Sequence, residues 1–392
     1  MFRLLTVPSN DVKYIISHFS FPAIIVFFAF FLACVAAFVV SYPMGFLVRR
    51  YALRFGLVDK PGHRKIHDAP ITTGGGLAIW CGVVLPLAVA QVGLFAIAAF
   101  QAQHLLPDFV LLHLGGLVQQ SLKLWTLLGL GTILAVLGTL DDRYNLSWKL
   151  RIFVQFLVAI GAVAAGFRAS LFLEVPLLAS VLSVIWIVML INSFNLLDNM
   201  NGLSAGVALI CAAFLAAVMF LAPDPATNQP QLFLGGFLLV LIGAILGFLL
   251  HNNPFYAKMF MGDGGAYLIG FLLACTTLGA TFTGYEVSRT TLFVPVLILA
   301  VPIYDTVSVV LIRLWEGRSP FEGDKRHFSH RLVDRGLTRT QAVLTIYLTT
   351  AVCAAGSLLL YQVNFFGAIL IFTQTVLVLL LIAILESNGP RT

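Results

Sequence analysis

Four carboxylates stand where chemistry could be done. Asp141 and Asp142 are adjacent in LGTLDDRYNLSWKLR. Asp263 lies among glycines in FMGDGGAYLIG. Asp198 shares NSFNLLDNMNG with Asn192, Asn195, Asn199 and Asn201. Carboxylate and amide oxygens are ligands for a hard cation and make short, well-aimed hydrogen bonds. Basic stretches accompany them. RKIHDAPITTGGG carries Arg64, Lys65 and His67, and GDKRHFSHRL carries Lys325, Arg326, His327, His330 and Arg331. Oxygen ligands for a metal, with cations for phosphate oxygens, are what phosphoryl transfer needs. There the protein mainly positions charge and neutralises it.

Each stretch has a plainer reading when taken alone. Asp141 and Asp142 could be interfacial charges paired with Arg143 or Arg151, as well as Mg²⁺ ligands or proton acceptors. Asp263 could simply cap a helix, its glycines serving the turn, or it could hold Mg²⁺ against a diphosphate. Asn192 and Asn195, and less squarely Asn199, share one face of a continuing helix. Basic runs also mark the inner side of a membrane protein, although His is a poorer marker of that than Lys. Asp305 falls inside an apolar stretch, AVPIYDTVSVVLIR, and an acid there is a functional candidate or a bundle contact.

The elements that must position these groups are hydrophobic. Of 392 residues, 60% are hydrophobic and only 10% are charged, against about 25% charged in soluble domains. The mean hydropathy is +0.98. This predicts an all-α polytopic membrane protein, a single integral membrane domain over 1–392. Eleven spans are expected, roughly at 21–46, 74–99, 124–140, 150–166, 175–191, 203–222, 232–250, 264–280, 291–312, 341–361 and 364–385. The first is too long for a signal-peptide core and is kept as a span. The five cysteines all lie in apolar segments, too scattered for a metal cluster.

Placing the N-terminus outside puts eighteen of the 23 Lys and Arg residues in inner loops, which fixes the C-terminus in the cytoplasm. Every polar stretch above then follows an odd-numbered span and faces the cytoplasm. One composite site on that face is expected. A secondary transporter for a phosphorylated solute would instead show repeated halves and a site near the midplane. No internal repeat is visible.

The ordered motifs resemble the polyprenyl-phosphate N-acetylhexosamine-1-phosphate transferases, over about residues 56–340. GLVDKPGHRKIHDAPITTGGGLAI resembles the first cytoplasmic loop of that family and LGTLDD its aspartate pair. NSFNLLDNMNGL is similar to NxxNxxDGxDGL, FMGDGGAYLIG to MGDxGSxxLG, and PIYDTVSVVLIR to PxxDxxxxxxxR. GRSPFEGDKRHFSHRLVDRG resembles GRSPFxxDxxHxHHRLLxxG of the WecA/TagO type.

The resemblance implies transfer of a sugar-1-phosphate from a UDP-N-acetylhexosamine, GlcNAc being the expected sugar, to undecaprenyl phosphate, with release of UMP. This is the first membrane step of a cell-envelope polysaccharide, in the bacterial inner membrane. The MraY-type donor, UDP-MurNAc-pentapeptide, is the runner-up. The resemblance implies Mg²⁺ at Asp263 with Asn195, Mn²⁺ being a substitute. Asp141, Asp142, Asp198 and Asp263 become catalytic residues. Lys65, His67, Asn192, Asn199, Asn201, Arg326, His327 and His330 become substrate contacts. A homodimer is open, and no nucleic-acid partner is expected. Three positions depart from the pattern: Asn201 replaces an acid, Ala266 a serine and Ser329 a histidine.

Overall fold

The computed structural model describes residues 21–59, 71–102, 104, 106, 108–169, 175–221, 229–282, 289–319 and 326–387. Lys65 and His67 lie outside the described residues. Helix α1 (Phe21–Phe55) leads to a short antiparallel pair, β1 (Val58–Asp59) and β2 (Ile71–Thr72). Then follow α2 (Gly75–Ala99), α3 (Asp108–Tyr144), α4 (Trp148–Ala164), α5 (Pro176–Leu197), α6 (Leu203–Leu221) and α7 (Leu232–Leu249). A second pair, β3 (Asn252–Asn253) and β4 (Tyr256–Ala257), precedes α8 (Gly262–Gly279). The chain continues through a 3-10 turn at Arg289–Phe293 into α9 (Val294–Ile298), α10 (Ala300–Trp315), α11 (Phe328–Asp334), α12 (Arg339–Leu359) and α13 (Phe365–Ser387).

The protein is an all-α polytopic membrane protein. Among the described residues eight helices are long and apolar enough to cross a bilayer, or nine if α9 and α10 count as one bent span. Helices α4 and α8 are not among them. Both coincide with expected spans, but α4 has only 17 residues and α8 begins with GDGG.

Helix α8 is the centre of the bundle. Every residue from Gly264 to Thr277 is buried, and α3, α5, α2 and α6 pack around it. A helix apolar on all sides must be enclosed in this way. In lipid, little hydrophobic force drives helices together, so close packing and polar bridges hold them instead. Glycines provide the closeness. A side chain at Gly138 would collide with the Asp263–Gly264 backbone, and one at Gly76 would collide with Gly265. Polar bridges add to this: Trp80 Nε1 donates to Thr132 Oγ1 at 2.8 Å, Trp186 Nε1 to Thr277 Oγ1 at 3.0 Å, and Ser41 Oγ to the Ala244 carbonyl at 2.7 Å.

Helices α9 and α10 meet at 71°. Pro302 has no N–H for the Ile298 carbonyl four residues before it. That carbonyl accepts the Cys211 thiol instead, at 3.2 Å. A break in a buried helix persists only where a neighbour takes over the freed group.

Helix α3 is much longer than the expected 124–140. Gln119, Gln120 and Lys123 interrupt its apolar run, but backbone hydrogen bonding does not. Asp141 and Asp142 therefore lie in its last turn. Helix α11, within the last polar stretch, is also an addition to the expected elements.

Candidate active site

Asp141 is buried and fully engaged. Its Oδ1 accepts the Leu146 N–H at 2.8 Å, and its Oδ2 accepts Arg151 Nη1 at 2.6 Å and the Tyr267 hydroxyl at 3.2 Å. The turn that follows makes this possible. Asn145 takes a positive φ of 55°, which Asn tolerates better than most residues. Ser147 then caps α4 by accepting the Leu150 N–H. The reversal brings Arg151 back over the carboxylate.

Asp142 has the opposite condition. Its Oδ1 accepts the Asp263 N–H at 3.1 Å, while its buried Oδ2 has no hydrogen-bond partner. The close approach depends on Gly262, at φ 75°, where a Cβ would run into the Asp142 carboxylate. Asp263 itself opens α8. Its Oδ1 accepts Asn195 Nδ2 at 2.7 Å, and its Oδ2 lies 3.9 Å from Arg151 Nη1.

The turn between α5 and α6 supplies the next side. Asp198 ends α5. Burial, and next the charge of Asp142, push its carboxyl up to about 8, against the pull of the Gly262 N–H. Asn199 Nδ2 donates to the Leu196 carbonyl at 2.8 Å, and its Oδ1 accepts the Ser329 hydroxyl at 2.5 Å. Gly202 N–H donates to Asn252 Oδ1 at 2.6 Å, tying this turn to the β3–β4 pair.

Helix α11 closes the arrangement. Asp305 of α10 holds its N-terminus, accepting the Phe328 N–H at 2.7 Å and lying 3.1 Å from His327 Nδ1. Asp305 and His327 are both buried.

These groups surround a cleft of about 630 Å³. Asp141, Asp142, Asp198 and Asp263 line it together with Asn199, Asn201 and His330. Arg143, Asn145, Asn252 and Arg339 line it too, although sequence reasoning had not placed them at the site. The adjacent amides of HNNP were the available signal for Asn252. Nothing in the sequence marked Arg339 beyond its charge. Tyr267 was legible only as the i+4 neighbour of Asp263.

Three expected substrate contacts are placed elsewhere. Asn192 donates to Gln155 Oε1 at 2.7 Å, turned towards α4. His327 is spent on Asp305. Arg326 pairs with Glu316 at 2.5 Å and does not line the cleft.

Among the described residues, no three Asp, Glu, His or Cys side chains form a metal-ligand group. Mg²⁺ does not require one. It takes one or two carboxylates and completes its octahedron with water and phosphate oxygens. The unpartnered Asp142 Oδ2, beside Asp263, fits that requirement: a buried carboxyl oxygen without a donor leaves room for a cation.

The profile of glycosyl transferase family 4 matches residues 124–281, from α3 through α8. A probable undecaprenyl-phosphate N-acetylglucosaminyl 1-phosphate transferase of Bacillus subtilis (strain 168) is 30% identical over 347 residues, 86% of each chain. The chain belongs to glycosyl transferase family 4. Two undecaprenyl-phosphate alpha-N-acetylglucosaminyl 1-phosphate transferases are also similar. That of Yersinia pestis is 30% identical over 81% of this chain and 80% of its own. That of Escherichia coli (strain K12) is 30% identical over 79% and 78%. The family 4 match covers all four carboxylates of the cleft. Asp305, His327 and His330 lie beyond its end, and of these His330 lines the same cleft.

Proposed function

We propose that this family 4 enzyme transfers GlcNAc-1-phosphate from UDP-GlcNAc to undecaprenyl phosphate at the cytoplasmic face of the inner membrane. UMP leaves, and undecaprenyl-diphosphate-GlcNAc starts an envelope polysaccharide. The observation that carries the reading is the cleft itself. Four carboxylates, amides and cationic side chains meet at one end of a bundle whose outer helices are apolar. An eleven-span chain with its N-terminus outside accounts for that placement, because the cleft residues come from the C-terminal ends of α3 and α5 and the N-terminal ends of α8 and α12. The basic residues of this end, including Arg49, Arg50, Arg54 and Arg339, suit the cytoplasmic side.

In the reaction, an oxygen of the acceptor phosphate attacks the β-phosphorus of the donor. The bond from that phosphorus to the bridging oxygen breaks, and UMP carries the electron pair away. The acceptor phosphate has a second pKa near 6 and is already mostly dianionic at neutral pH. No strong base is required. That agrees with Asp141, whose oxygens already serve Leu146, Arg151 and Tyr267. Asp141 instead fixes the α3–α4 turn and holds Arg151 near Asp263.

Asp263 and Asp142 would hold Mg²⁺, with Asn195 orienting Asp263. Bound there, the ion would neutralise diphosphate charge and help align the two phosphates. His330, Arg143 and Arg339 supply positive or hydrogen-bonding groups around the rest of the cleft. Asn199 and Asn201 bound it from the α5–α6 turn. Lys65 and His67, in the sequence before α2, are further donor contacts in this proposal.

The test is UMP release by purified protein with undecaprenyl phosphate, Mg²⁺ and a panel of UDP-sugars that includes UDP-MurNAc-pentapeptide. UMP from UDP-GlcNAc, lost with EDTA and in Asp263→Ala, is the expected result. Folded protein that releases no UMP from any donor, beside a working control enzyme, would sink the proposal.

A further inference from the structure

The histidine-bearing helix α11 is gripped from a second direction, by the last described helix. Glu386 of α13 is buried, 8% exposed. Its Oε1 accepts the Tyr304 hydroxyl at 2.6 Å and lies 3.0 Å from Arg331 Nη2 of α11. The same Nη2 donates to Ser308 Oγ of α10 at 2.8 Å. The Glu386 carbonyl then accepts Arg335 Nε at 3.0 Å and Nη2 at 2.6 Å, just beyond the end of α11. One residue of α13 thus engages both arginines that flank the end of a seven-residue helix.

That helix needs an external hold. Seven residues are too few to be stable alone. Its N-terminus is fixed by Asp305. At its C-terminal end, burying Arg331 requires a counter-charge, and Glu386 supplies it. Between the two anchors stand Ser329, bonded to Asn199, and His330, which lines the cleft. Glu386 itself does not line the cleft.

We propose that Glu386 is a positioning residue for the transfer reaction, acting through α11 to hold His330 at the cleft. This rests on the reading of the cleft as a UDP-sugar phosphotransferase site. Glu386 lies outside both the profile match at 124–281 and the motif-bearing stretch.

The experiment uses the full-length protein in detergent with undecaprenyl phosphate, UDP-GlcNAc and Mg²⁺. Kinetics are measured for wild type, Glu386→Gln, His330→Ala and the double variant. Glu386→Gln keeps the side chain's size and a carbonyl acceptor for Tyr304 but removes the charge facing Arg331. Its KM for UDP-GlcNAc is expected to rise about tenfold with kcat changed less than about threefold, as for a lost binding contact. Because both residues act at one contact, the double variant should be no worse than His330→Ala alone. Glu386→Asp should recover part of the loss.

Amide exchange is followed in parallel over residues 326–336. Faster exchange there in Glu386→Gln is expected, whether or not the enzyme turns over. An unchanged KM, or effects of Glu386→Gln and His330→Ala that simply multiply, would overturn the proposal. If Glu386→Gln does not fold, Tyr304→Phe removes one bond to the same oxygen and must move KM and exchange in the same direction. An inactive wild type with faster exchange in Glu386→Gln would overturn the functional reading while leaving the latch in place.

Discussion

The backbone N–H of Asp263 donates to Oδ1 of Asp142 at 3.1 Å, so the start of α8 hangs from the last turn of α3. The contact exists because Gly138 and Gly264 let the two helices meet at backbone distance. Gly138→Ala should therefore separate the two carboxylates. An added methyl in so tight a contact costs about 1–3 kcal/mol. The expected outcome is a lower melting temperature in detergent together with a loss of UMP release. An unchanged melt would mean that the helices adjust freely.

The two adjacent acids should fail differently. Asp142→Asn keeps the acceptor for Asp263 and removes only charge. Its melt should stay near wild type while kcat falls about 10²–10³-fold, the scale seen when one electrostatic stabiliser is removed. Asp141→Asn deprives Arg151 of its nearer counter-charge and should lower the melting temperature as well. Equal melts for the two variants would contradict the distinction between an engaged and an open carboxylate.

Asn195 and Asn192 provide a second contrast. Asn195→Ala removes the donor to Asp263 and should raise the Mg²⁺ concentration needed for half-maximal activity. Asn192→Ala loses a bond to Gln155 instead, and should cost about 1 kcal/mol of stability with little change in that concentration. A Mg²⁺ titration of both variants decides the matter.

Asp198 sets a pH dependence. Burial pushes its carboxyl up to about 8, so protons and a cation compete for this corner of the cleft. The cation favours the anionic form. Half-saturating Mg²⁺ is expected to fall as pH rises from about 6.5 to about 8.5, by at most about tenfold per pH unit for one displaced proton. Asp198→Asn should reduce the slope, leaving the share of Asp263, whose carboxyl is also pushed well up by burial. The stability sign follows from the same shift. An unfolded Asp titrates near 4, so this residue's contribution is fully present below about pH 4 and is lost as pH rises through about 8. A Mg²⁺ slope that survives undiminished in Asp198→Asn would assign the competition to another group.

The gathering of Asp141, Asp142, Asp198 and Asp263 was legible in the sequence because each follows an odd-numbered apolar segment, and alternating passes bring such ends to one side. The direction of each side chain was not legible. Asn192 and Asn195 are three residues apart and so share a helical face, but at a helix end that face is wide enough to meet two neighbours. One asparagine meets Gln155 on α4 and the other meets Asp263 on α8.

His327 was read as a phosphate contact from its motif. Its partner, Asp305, is buried 22 residues earlier, and spacing alone does not reveal a pair formed by tertiary packing. The start of α3 was missed for a simpler reason. A hydropathy run ends at polar residues such as Gln119 and Gln120, whereas a helix ends only where its hydrogen bonding does.

The latch at Glu386 also bears on the order in which the protein is made. Chains fold from the N-terminus as they emerge, and α13 follows every element that lines the cleft. Until it arrives, Arg331 has no anion and α11 lacks its second anchor. A ribosome product stopped before Glu386 would carry every cleft residue yet hold His330 loosely. At low donor concentration turnover would then rise only after synthesis has passed α13, so that unfinished chains in the membrane would draw less on the lipid carrier.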